Sequence, residues 1–76
     1  MPLGDRPVES HEFTELTPMQ LRVLKIVCEG KKSREVADEL YIGKRTVDFH
    51  LQGAYRKLNV TNRVQAFVRA RELGLF

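Results

Sequence analysis

Arg45, Asp48, Phe49, Gln52 and Arg56 recur at intervals of three and four along "KRTVDFHLQGAYRKL", Lys44 to Leu58. On a helix such spacing gathers them on one face. Those side chains carry the chemistry that reads base edges in a major groove. Arginine pairs bidentately with guanine, glutamine with adenine, aspartate accepts from the cytosine amino group, and phenylalanine touches a thymine methyl. Lys44 and Arg45 open the same stretch, where the helix dipole disfavours cations by a few tenths of a kcal/mol. Beside phosphates the same cations gain more, since each neutralised phosphate releases condensed counterions. A second reading competes. Asp48 lies four residues after Lys44 and three after Arg45, so a local ion-pair cluster on a solvated face is also consistent with the spacing. Phe49 would then be covered by a neighbouring segment such as the N-terminal arm.

That face needs a helix with a buried side opposite. With Val47 set inward, steps of about 100° bring Leu51, Ala54 and Leu58 to the same side. His50 falls at the margin, with Thr46, Gly53 and Lys57 on one flank. The punctuation predicts three further helices. In "TPMQ" Thr17 is an N-cap, Pro18 suits the first helical position, and Gln20 closes a capping box. Leu21, Leu24 and Cys28, with Val23 and Val27 beside them, form the buried stripe, and Gly30 ends the helix. The second helix runs from Ser33 as N-cap to about Leu40, burying Val36, Ala37 and Leu40. "YIG" (Tyr41 to Gly43) is a tight turn before the third helix, which Asn59 closes. The fourth starts at Asn62, with Gln65 three residues on, and ends before Gly74. An all-α, four-helix domain is expected over residues 16–76, its second and third helices spaced as a helix-turn-helix.

Length and charge bound the partners. Seventy-six residues make one small domain, and 42% hydrophobic content sustains its core. Residues 1–15 hold two prolines, a glycine and no helical stripe, and read as an acidic tail or linker. They carry one arginine against Asp5, Glu9, Glu12 and Glu15, whereas residues 16–76 carry 12 Lys/Arg against 6 Asp/Glu. A basic body behind an acidic arm fits a polyanion, although ordinary solubility charge produces a similar balance. No apolar run is long enough for a bilayer, and residues 1–10 have no signal-peptide centre. One cysteine and two separated histidines make neither an intramolecular disulfide nor a structural zinc site. A cytoplasmic protein without cofactor or metal is expected. No nucleophile–base–orienter set is visible, so an enzyme is not expected.

Motifs add to the spacing. "LTP" precedes the first helix and "EG" closes it. S-x-E-V-A-x-x-L-x-I runs through the second, TV-x-x-H and KL-x-V mark the third and its exit, R-x-x-A opens the fourth, and "GL" lies at the end. Over Leu16 to Leu75 the chain resembles the LuxR-type helix-turn-helix domain, the output module of NarL-like response regulators and the whole of small regulators such as GerE. The resemblance implies DNA binding through the third helix and pairing through the fourth. It places Arg45, Asp48, Phe49 and Gln52 at groove-facing positions, Lys32 and Ser33 at a phosphate-touching helix start, and Thr46 and Lys57 along the DNA backbone. The chain departs from the pattern twice: Gly43 stands where a serine is frequent, and Asp48 where a basic residue is frequent. An acid facing the groove weakens non-specific affinity.

The fourth helix has surplus apolar surface. Val64, Phe67 and Val68 form one sector, and Ala66, Ala70 and Leu73 the next, together well beyond the ~100° stripe of a surface helix. The small alanines suggest close approach of a second copy, so Ala66, Ala70 and Leu73 are expected at a homodimer interface. Within one chain, the first helix or the C-terminal "LGLF" is the competing cover. The resulting expectation is a transcription regulator, or its output domain, binding an inverted repeat of double-stranded DNA as a dimer and contacting RNA polymerase. The alternative is a helical protein-interaction module that pairs with another regulator without reading DNA.

Overall fold

The computed structural model describes residues 16–76, and the acidic tail assigned to residues 1–15 lies outside them. Four helices follow in order: α1 (Pro18–Cys28), α2 (Ser33–Leu40), α3 (Lys44–Leu58) and α4 (Arg63–Glu72). The chain chemistry accounts for their ends. Thr17 Oγ1 accepts from the Gln20 amide and Gln20 Oε1 accepts from the Thr17 amide, both at 3.0 Å, which closes the capping box before Pro18. Asn62 Oδ1 accepts from the Gln65 amide at 2.9 Å, capping α4. All four helices stop at a residue of positive φ: Gly30, Tyr41, Asn59 and Gly74. Glycine and asparagine take that conformation readily, and tyrosine does not.

The start of α2 differs from the sequence expectation. Lys32, not Ser33, is the N-cap; Ser33 is already helical, and no side chain caps the end from that position. The Lys32 amide is instead satisfied by Glu35 Oε1 at 2.8 Å, leaving the Ser33 hydroxyl for a longer-range partner.

Packing is organised around α1. On one side Val23, Ile26 and Val27 meet Val36 and Ala37 of α2 and Val47 of α3. On the other, Leu24 meets Leu58 of α3 and Ala66 and Ala70 of α4. Leu51 packs against both clusters. Because α1 is covered from two directions, its buried arc is wider than one stripe: Val23, Leu24, Ile26 and Val27 are buried, while Leu21 and Cys28 are only half-buried. Burying a side chain such as Leu24 contributes about 1.5–3 kcal/mol. On α3 the inward set holds Val47, Ala54 and Leu58, with Leu51 partly buried and Gly53 added. A Cβ at Gly53 would lie 2.5 Å from Gln20 Nε2; the glycine admits the start of α1, with its capping box, against α3.

The assignment of Ala66 and Ala70, made together with Leu73, to a dimer interface needs correction for the two alanines. Ala66 and Ala70 are 0% exposed inside their own chain, and Leu73 packs partly buried against the same cluster. The helices their small size admits are α1 and α3. The apolar sector left in solvent is Val64, Phe67 and Val68, with the Arg71 guanidinium 5.8 Å from the Phe67 ring centre. Among the described residues no helix is long and apolar enough to cross a membrane.

Candidate nucleic-acid interface

Once α3 turns Val47, Ala54 and Leu58 inward, its helical period leaves Arg45, Phe49, Gln52 and Arg56 exposed on the opposite side. Lys44 and Thr46, in the first turn, are exposed as well. Phe49 is 71% exposed. Its ring meets the neighbouring His50 imidazole edge-on, at 5.5 Å and 70°. An aromatic ring in water at the centre of a cationic face is unfavourable for the isolated chain and useful against a thymine methyl.

Asp48 sits at the rim of this face, half-buried, with both carboxylate oxygens engaged. Ser33 Oγ donates to Oδ1 at 2.7 Å, and Lys44 Nζ donates to Oδ2 at 2.8 Å. The Lys44 and Ser33 donors hold the carboxyl below its ordinary pKa, against a smaller opposing effect of burial. The acid therefore does not stand alone in the groove-facing surface. It ties the first turn of α3 to the first residue of α2 and neutralises part of Lys44.

Around this clamp the candidate residues divide. Lys32 and Ser33 lie at the α2 start, with Lys32 exposed. Lys31 beside them is paired with Glu39 at 3.1 Å. Lys57 is half-buried on the flank of α3, away from the exposed set. Two residues escaped the sequence reading. Tyr41, in the turn between α2 and α3, is 93% exposed and held at φ 59°, ψ 44°. Its only sequence signal is a bulky residue at a helix stop, where glycine or asparagine is favoured. Tyr55, one turn before the end of α3, is half-buried beside Arg63 of α4. Burial pushes the half-buried Cys28 thiol above its usual pKa, with Arg63 acting in the opposite direction, which leaves it a poor nucleophile. Among the described residues no group of three or more His, Cys, Asp and Glu side chains is arranged for a metal ion.

A helix-turn-helix whose second member shows a basic, partly aromatic outer face, on a four-helix body, defines the DNA-binding domain of a transcription regulator. Comparison with known proteins specifies it further. Residues 14–70 match the family model for bacterial regulatory proteins of the luxR family. Among curated relatives, the transcriptional activator protein AnoR of Acinetobacter nosocomialis is 43% identical over 72 residues, covering 90% of this chain and 30% of that protein. The transcriptional regulatory protein DesR of Bacillus subtilis is 38% identical over 65 residues, 86% of this chain and 33% of its own length. The crystal structure of the response regulator ChrA, from a heme-sensing two-component system, superposes with a TM-score of 0.79 at 31% identity. That match covers 93% of this chain and 33% of ChrA. The chain belongs to the luxR family of bacterial regulatory proteins, and it spans a third or less of the length of each of these relatives.

Proposed function

We propose that the domain binds an inverted repeat in double-stranded DNA as a homodimer, with α3 in the major groove and Arg45, Gln52 and Phe49 meeting base edges. Lys44, Arg56, Thr46, Lys32 and Ser33 serve the sugar-phosphate backbone, with Lys57 at the flank. The observation that carries this reading is the exposed face of α3, where Phe49 stands 71% exposed among cations. Among the described residues nothing in the packing accounts for its composition. Pairing is supported by the exposed apolar sector of α4, Val64, Phe67 and Val68, which a symmetric copy would bury while presenting two recognition helices to two half-sites. Regulation takes place in the cytoplasm, through contact with RNA polymerase or its exclusion.

The rival reading, an interaction module that reads no DNA, would gain from an unpaired acid at position 48 in the groove-facing surface. Its strength falls once Asp48 is engaged by Lys44 and Ser33 rather than facing the groove alone. Selection of bound sites from a random duplex pool tests the proposal. Enrichment of a two-fold symmetric sequence with half-sites one helical turn apart is expected; recovery of unenriched sequence, or no recovery, sinks it.

A further inference from the structure

A second cationic cluster lies outside the exposed face of α3. A shallow cavity of about 440 Å³ opens where the α2 start, the flank of α3 and the α4 start converge, and Lys31, Lys32, Ser33, Tyr55 and Arg63 line it. Three of these are cations, and the carboxylates of the described residues leave two without an ion pair. Glu39 takes Lys31 Nζ at 3.1 Å, and Glu35 takes the Lys32 amide at 2.8 Å. The Lys32 ammonium and the Arg63 guanidinium form no ion pair among the described residues.

Arg63 is placed against the local electrostatics. It is the first residue of α4, in a first turn without an acid, where the positive end of the helix dipole repels a cation. The helix does not need it there, because Asn62 and Gln65 hold the N-terminal amides. Tyr55 adds a second unsatisfied group. It is half-buried, it lies near Arg63, and its hydroxyl makes no hydrogen bond among the described residues. A phenol and a guanidinium lining one cavity, beside the Lys32 ammonium, form a donor set for a phosphate. The cavity also adjoins the proposed DNA face, since Ser33 lines it and bonds Asp48 of α3.

We propose that this notch seats a backbone phosphate of the bound duplex, with Arg63 and Lys32 supplying charge and Tyr55 a hydrogen bond. The inference rests on the DNA-binding reading and adds α4 to the residues that grip the strand. It makes Arg63 a contact that acts equally on every sequence.

The test uses the full chain, a random-sequence duplex and a series of salt concentrations, with Arg63→Gln and Tyr55→Phe beside the unmodified protein. Arg63→Gln is expected to reduce the slope of log affinity against log salt by about 0.9, which amounts to close to tenfold weaker binding at 0.1 M salt. Its melting temperature stays level or rises, because the helix dipole loses an unfavourable neighbour. Tyr55→Phe is expected to weaken binding by a few-fold at unchanged slope, since a neutral donor releases no counterion. A steep slope in the unmodified protein that persists in Arg63→Gln overturns the notch and leaves the DNA reading standing. A flat slope in the unmodified protein overturns both. Inorganic phosphate is titrated in parallel, with the Tyr55 and Arg63 resonances followed. Saturable binding of the free ion, combined with an unaltered duplex slope in Arg63→Gln, also overturns the assignment, because the notch would then serve a small anion.

Discussion

Ser33 Oγ donates to Asp48 Oδ1 over 2.7 Å, a contact between residues fifteen apart that joins the first residue of α2 to the second turn of α3. With Lys44 on the other carboxylate oxygen, Asp48 braces the two helices against each other and neutralises part of one cation of the proposed DNA face.

Asp48→Asn keeps a hydrogen-bond acceptor for Ser33 and removes the charge. The full charge of Lys44 then acts on phosphate, and the local repulsion of the DNA backbone disappears. Affinity for random duplex is expected to rise several-fold with a steeper salt dependence, while the preference for the selected site over random sequence narrows. Anisotropy titrations at two salt concentrations measure both, and an unchanged affinity would remove Asp48 from any role in discrimination.

The same clamp makes a pH prediction. The Asp48 pKa is lowered in the folded chain, by Lys44 first and Ser33 second. The unfolded chain therefore binds this proton more readily, so the clamp's contribution is present above the ordinary carboxylate pKa of about 3.9 and is lost as pH falls through the lower folded value. The pair is substantially exposed, so the contribution is small, on the order of 0.3–0.5 kcal/mol. The gap in melting temperature between the unmodified protein and Asp48→Asn is expected to shrink between pH 6 and pH 3; a gap that widens contradicts the assignment.

Tyr41 and Gly30 stop two helices at positive φ, 59° and 103° respectively, and are expected to respond in opposite directions. Tyr41→Gly relieves a left-handed tyrosine and stabilises by about 1 kcal/mol. Gly30→Ala meets nothing within 4 Å, yet it destabilises by roughly 1 kcal/mol or more through backbone strain alone. For a domain of this size each corresponds to a shift of about 4–8 °C in melting temperature. Calorimetry on the two variants decides it, and shifts of the same sign would refute the account of the helix stops.

On α4 the two apolar sectors are expected to separate folding from pairing. Ala66→Leu forces volume into the cluster of Leu24, Leu58 and Ala70 and destabilises by about 1–3 kcal/mol. Phe67→Ser, at an exposed position, leaves the fold within about 0.5 kcal/mol and abolishes cooperative filling of two half-sites. Thermal melting and gel shifts on one-site and two-site duplexes distinguish them; preserved cooperativity in Phe67→Ser removes that sector from the dimer.

Along α3 the proposed roles diverge. Lys44→Ala is expected to weaken all duplexes alike. Gln52→Ala is expected to relax choice at one base position by roughly 1–3 kcal/mol. Competition between the selected site and its single-base variants reads this out. Uniform losses from both changes would mean that α3 grips the backbone only.

What was legible in the sequence was mostly local. Thr17, Gly30, Asn59 and Asn62 mark helix ends because capping chemistry acts within three or four residues, and the structure places each at the end it was read to mark. The amphipathic division of α3 follows from its period alone. Ser33 was misread because a serine at a helix start is equally suited to capping or to a distant acceptor, and the acceptor was fifteen residues away. The alanines of α4 were misassigned for a related reason. A helical wheel separates Val64, Phe67 and Val68 from Ala66 and Ala70, but it does not say which sector α1 and α3 will cover. Tyr55 and Arg63 come together only through the crossing of α3 and α4, so no spacing within one helix signals their cavity.

The central claim is that the exposed face of α3 enters the duplex. Titrating the isotope-labelled chain with its selected site, and following amide and side-chain resonances residue by residue, tests it most directly. The largest shifts and intermolecular contacts to base protons are expected at Arg45, Phe49 and Gln52, with smaller changes at Lys32, Ser33 and Lys44. Binding that perturbs other surfaces and leaves those three residues unmoved would contradict it.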